Sequence, residues 1–132
     1  AKKSMQRTGE YECFRASEWK KLSTCVRKRD LKLCRICGQE NQCKSRSLSV
    51  DHVVPKRLML LWNLPPDHPD NLVSLCASCH SKKTNVEVLL FRGDIIGFIA
   101  GMKRIGYPLA AVLNAFKLCG LPTSWAAEME AA

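Results

Sequence analysis

Apolar positions along the chain recur at helical spacing in three segments and form short extended runs in two others. Trp19, Leu22 and Val26 share one face, with Lys20, Lys21, Arg27 and Lys28 largely off it. That pattern predicts an amphipathic helix from about Glu18 to Arg29, with Ser17 as its cap. Leu48 to Val50 predicts a short strand leading into Asp51 and His52. Val53 and Val54 continue the extended chain to Pro55, which disfavours helical backbone just before it. Residues 58–70 (LMLLWNLPPDHPD) hold three prolines and read as a connection whose second half is loop. Residues 71–75 predict a second short strand or turn. Val86, Leu89 and Leu90 give the apolar face of a helix reaching about Leu90. Residues 95–120 are apolar with a helical pattern, broken at Gly106-Tyr107-Pro108 into two short helices. Such helices cap a small core or, alternatively, form a homodimer interface.

The 132 residues suit one domain with a terminal extension. The expected organisation is a basic arm over 1–16, a core over 17–92 and a helical extension over 93–132. Residues 1–66 carry 15 of the 21 Lys and Arg but 6 of the 12 acids, so the whole surplus of +9 sits in the N-terminal half. That footprint suits a polyanion, nucleic acid first. The longest apolar run, Ile95–Met102, is interrupted by Gly97 and Gly101 and falls short of the about 20 residues a membrane span needs.

Eight cysteines in a chain with a modest core imply a staple. The opening AKKSMQRTGEYECF has no continuous apolar stretch, so the expected setting is intracellular and cytoplasmic, where thiols stay reduced. Cys34-x-x-Cys37-Gly38 and Cys76-x-x-Cys79 form two knuckles, 38 residues apart. Four thiolates close the tetrahedral sphere of a zinc ion, which marks the site as structural and makes its binding energy folding energy. The long insert is where chemistry should lie. Cys43 is a weaker rival ligand, and Cys25 and Cys119 read as small buried apolar residues.

The insert and its flank carry a chemically coherent set. His52 has the titration range of a general base. Asp51 precedes it and should point to the opposite side of an extended chain; its carboxylate suits a hard divalent cation. His80 directly follows the last knuckle cysteine, so the clip would fix its position. Asn71 follows Pro69-Asp70 and could be only a turn residue. His68 is a minor candidate third ligand.

The succession VDHVVP (50–55), DNL (70–72), LC (75–76) and CHSKKT (79–84), interleaved with the knuckles, resembles the HNH endonucleases, and among them the four-cysteine subset common in phage and bacteria. The resemblance covers about Trp19 to Val88. It implies an α+β fold, a ββα-metal core of two short strands and a helix, here flanked by the N-terminal and C-terminal helices. It implies hydrolysis of DNA phosphodiester bonds with one Mg²⁺ or Mn²⁺ ion beside the structural Zn²⁺. His52 matches the general base, Asp51 and His80 the ligands of the catalytic ion, and Asn71 the residue that braces the loop. Lys56, Arg57, Lys82 and Lys83 are expected DNA contacts, although a solvated helix face explains the last two equally well. The Leu58–Pro66 stretch is longer and more apolar than the family's usual linker, and residues beyond about 92 match nothing carried over. The competing reading is a zinc module that binds nucleic acid without cutting it; a protein-interaction domain docking through residues 95–120 is the other.

Overall fold

The computed structural model describes residues 18–38 and 48–127. The N-terminal arm, the Ser17 cap, Cys13 and Cys43 lie outside them. In chain order the elements are helix α1 (Trp19–Arg29), strand β1 (Ser49–His52), helix α2 (Lys56–Leu61), a 3-10 turn (Pro69–Asn71), strand β2 (Leu72–Leu75), and helices α3 (Ala77–Phe91), α4 (Ile95–Ile105) and α5 (Leu109–Cys119). This is the expected α+β arrangement of a small sheet gripped by helices.

The two strands pair antiparallel, with Asp51 opposite Val73 and His52 opposite Leu72. Because side chains alternate along a strand, neighbouring residues face opposite sides of the sheet. On one side Leu22 and Val26 of α1 pack with Leu72, against Val50. On the other, Val73 and Leu75 join the main core with Val86 and Leu90 of α3, Phe98 and Met102 of α4, and Val112 and Phe116 of α5. The C-terminal helices therefore share one apolar cluster with the clip and the sheet. No helix of the described residues is long and apolar enough to cross a membrane.

Residues 56–61 correct the sequence reading. A helix stands where the start of the connection was expected. Leu58 and Met59 are buried in the main core while Leu60 and Leu61 face outward. One turn and a half is too short to display a helical period, so the run LMLL gave no such signal. After it, Pro65 to His68 is loop, as expected.

Candidate active site

The two knuckles meet. The sulfurs of Cys34, Cys37, Cys76 and Cys79 all lie within 4.8 Å of one another, and Cys37 Sγ is 3.8 Å from Cys76 Sγ. Tetrahedral zinc–thiolate bonds place sulfurs roughly 3.8 Å apart, so the cluster fits a zinc-like ion. Gly38 takes φ +74° and donates its N–H to Cys34 O at 2.9 Å, closing the first knuckle with a backbone that a side chain would strain. Burial raises the Cys34 thiol, but the N–H groups of Cys37, Cys76 and Ile36 outweigh it and bring it down to about 7. Burial and the surrounding thiols push Cys79 up. Four thiolates this close need a cation between them. Of the remaining cysteines, Cys119 is half-buried with its thiol against Met59 Sδ at 3.0 Å. Cys25 is buried as expected, yet disulfide-bonded rather than a simple apolar filler.

Cys76 precedes α3 and Cys79 lies in its first turn, so the clip fixes where His80 stands. His80 Nε2 lies 3.4 Å from Asp51 Oδ1, with Asp51 4 % exposed and His80 43 %. The contact with Asp51 raises the His80 pKa, against the opposing effect of burial. An imidazole and a carboxylate facing each other, with the imidazole partly open to solvent, are donor types that fit a hard divalent ion with open positions. Asp51 Oδ2 accepts from Tyr107 Oη at 2.8 Å and lies 3.3 Å from Lys83 Nζ. Burial, then the Asp51 charge, raises the Tyr107 pKa well above its ordinary value, so the phenol keeps its proton.

His52 points to the other side of the sheet. Its Nε2 is 2.8 Å from Asp67 Oδ1, and its ring stacks on Trp19 of α1 at 5.2 Å between centroids, 10° from parallel. An ionised carboxylate only accepts, so the proton belongs on Nε2 and the lone pair on Nδ1. Asn71 is fully buried. Its Oδ1 accepts from Val54 N–H at 2.8 Å, while Nδ2 donates to Val54 O at 3.0 Å and Pro66 O at 3.1 Å. It thus ties the segment after β1 to the loop that carries Asp67.

Lys56, Arg57 and Lys82 are exposed, as nucleic-acid contacts would be. Lys83 is not. It is fully buried, donating to His52 O at 2.5 Å and Glu87 Oε2 at 2.6 Å. Its expected place on the DNA is therefore withdrawn, because those acceptors and Asp51 hold its ammonium inside. His68 caps its own turn, with Nδ1 accepting from Asp70 N–H at 3.1 Å, and none of its described contacts reaches Asp51 or His80. Sequence reasoning missed Asp67, Tyr107 and Glu87. For Lys83 a signal existed: Cys79, Lys83, Val86 and Leu90 are the buried positions of α3, a helical stripe visible in the sequence.

The HNH endonuclease family pattern matches residues 34–86, which run from the first clip cysteine into α3. A protein of Lactococcus phage SK1 named "Probable HNH endonuclease" is 38 % identical over 74 residues, covering 54 % of this chain and 74 % of that relative. The chain belongs to the HNH endonuclease family. It is accordingly a nuclease, a metal-dependent hydrolase for which the family implies a DNA substrate. No solved structure matches it significantly. Trp19 and Tyr107 both lie outside the 34–86 match, so part of what surrounds this HNH site comes from flanking sequence.

Proposed function

We propose that this HNH endonuclease hydrolyses DNA with His52 as general base and with Asp51 and His80 as the ligands of one Mg²⁺ or Mn²⁺ ion, the four cysteines holding a structural Zn²⁺. The observation that carries the reading is the division of labour along β1. Asp51 turns inward to His80, and His52 turns outward to Asp67 and Trp19.

Asp67 holds the proton of His52 on Nε2 and leaves Nδ1 to take a proton from the attacking water. Trp19 limits rotation of the ring. Asn71 acts through the loop: by holding Pro66 O it sets the position of Asp67, and so of His52. The attacking oxygen bonds to phosphorus as the bond to the 3′ oxygen breaks. The products carry 5′-phosphate and 3′-hydroxyl ends. When bound, the divalent ion supplies charge stabilisation at the leaving oxygen. Lys56, Arg57 and Lys82 contact the phosphate backbone, a salt-sensitive interaction without sequence information.

The test is supercoiled plasmid incubated with zinc-loaded protein in Mg²⁺ or Mn²⁺, with EDTA and His52→Ala as controls. Wild type yields nicked or linear DNA only with metal, and His52→Ala slows cleavage by about 10²–10⁴-fold while shifting plasmid on a gel at the same concentration. Loss of DNA binding along with cleavage would make His52 structural. Binding without turnover in any metal would leave a non-catalytic module.

A further inference from the structure

The helical segment after residue 92 carries no motif, yet it places a side chain directly on the ion site. Tyr107 is 2 % exposed and belongs to the core cluster. It sits between α4 and α5, where Gly106 closes α4 at φ +82°. Its N–H bonds Met102 O at 3.0 Å, and Pro108 precedes α5. This reversal aims the ring inward. A buried hydroxyl needs an acceptor, and the acceptor is Asp51 Oδ2 at 2.8 Å. Among the described residues that bond is shorter than the Asp51 side-chain contacts to Lys83 at 3.3 Å and His80 at 3.4 Å. Lys83 is itself anchored elsewhere, on His52 O and Glu87. A phenylalanine would fill the same apolar space without the hydroxyl.

We propose that Tyr107 is a positioning residue of the divalent-ion site: by pinning one oxygen of Asp51 it turns the other toward His80 Nε2, so that the C-terminal helical segment completes the metal centre of the HNH core. The inference rests on the reading of Asp51 and His80 as ligands given above. A carboxylate free at both oxygens rotates and can chelate or swing away. One held through Oδ2 presents Oδ1 alone, in a fixed direction. Hydrogen-bond partners that orient a metal ligand in this way commonly set affinity by about 10–100-fold.

The experiment measures Mn²⁺ binding first and cleavage second. Zinc-loaded wild type, Tyr107→Phe and His80→Ala are titrated with Mn²⁺ without DNA, and free Mn²⁺ is followed by its electron paramagnetic resonance signal. Thermal midpoints are recorded in EDTA-free buffer without added Mn²⁺. Tyr107→Phe is expected to remain folded and to bind Mn²⁺ about tenfold or more weakly, with the same shift in the Mn²⁺ concentration that half-saturates plasmid cleavage. His80→Ala loses the site. Wild-type affinity in folded Tyr107→Phe, with the site still lost in His80→Ala, overturns the role of Tyr107 and leaves the ligand assignment standing. Equal affinity in His80→Ala overturns both. Should Tyr107→Phe fail to fold, fluorotyrosine labelling of the unmutated chain decides. It has two tyrosines, Tyr11 and Tyr107. Mg²⁺ is expected to shift the buried resonance in wild type and not in His80→Ala; an unmoved resonance refutes the proposal.

Discussion

The clip and the proposed ion site sit at two ends of one short segment, Cys76 to His80, and they are built on opposite rules. The clip gathers four like donors, three of them buried, placed so that they could close around an ion. The proposed ion site offers two unlike donors, Asp51 and His80, and would leave the rest of the sphere to solvent and substrate. A closed sphere holds the fold and can do little chemistry, whereas an open one must have its ligands held by something other than the metal. Each region accordingly has a buried charged residue that fastens it to the sheet. On the clip side Asp30 accepts from Ser74 N–H at 2.9 Å and from Arg29 and Arg35 at 3.0 and 3.1 Å. Beside the proposed ion site Lys83 joins His52 O, Glu87 and Asp51.

The contrast breaks first at the clip. Cys79→Ser or chelation of the clip ion should cost most of the folding free energy, since structural zinc sites contribute on the order of 10 kcal/mol. Circular dichroism melting with metal analysis checks it; an unchanged midpoint at full zinc content would refute a structural clip. Removing the divalent ion with a mild chelator that spares the clip should stop cleavage and leave the fold. The next largest effect belongs to Lys83. Lys83→Met leaves the Asp51 and Glu87 carboxylates beside each other without their buried cation, a loss of about 3–5 kcal/mol by urea unfolding. Mn²⁺ should then raise the midpoint of Lys83→Met more than that of wild type, because a second cation can replace the missing charge. A cost near zero would mean that Lys83 holds nothing together.

How far all this could be read from the sequence depended on distance along the chain. Cys-x-x-Cys is a local pattern, and Gly38 after it signals its own backbone, so the clip was legible. Asp51 and His52 were legible as opposite-facing neighbours because strand alternation is local too. Lys82 and Lys83 are identical in the sequence, and only one helical step decides that one faces solvent and the other the core. Asp67 reaches back to His52, and Tyr107 to Asp51, with no motif at either. Those contacts follow from how the Pro-rich loop and the C-terminal helices pack, and packing is collective.

Asp67→Asn sharpens the comparison at His52. Asn can donate to His52 Nε2 through its amide as well as accept, so the proton is no longer confined to that nitrogen. The fold should hold, since Asp67 is 41 % exposed. The expected fall is about tenfold to a hundredfold in kcat, with KM little changed, as for other carboxylate–histidine pairs. An unchanged kcat in single-turnover assays would show that stacking on Trp19 suffices to orient the ring.

The smallest effect lies at Asp30 and is read from its pH dependence. Burial alone would raise this carboxyl, but the bonds from Arg29 and the Ser74 N–H outweigh it and hold the pKa below its ordinary value of 3.8. A folded pKa below the unfolded one means that the stabilisation is fully present above the unfolded value. It is lost as pH falls through the folded pKa, because the unfolded chain then binds the proton first. Asp30→Asn keeps the shape and an acceptor for Ser74 but not the charge. With Arg29 and Arg35 about one-third exposed, solvent weakens the ion pairs, and the substitution should cost about 1 kcal/mol. The difference between wild type and variant should be flat from pH 8 to 5 and shrink below about pH 4. A difference that instead grew on acidification would require a raised Asp30 pKa, and would remove Asp30 as the charged fastening of helix α1 to the clip.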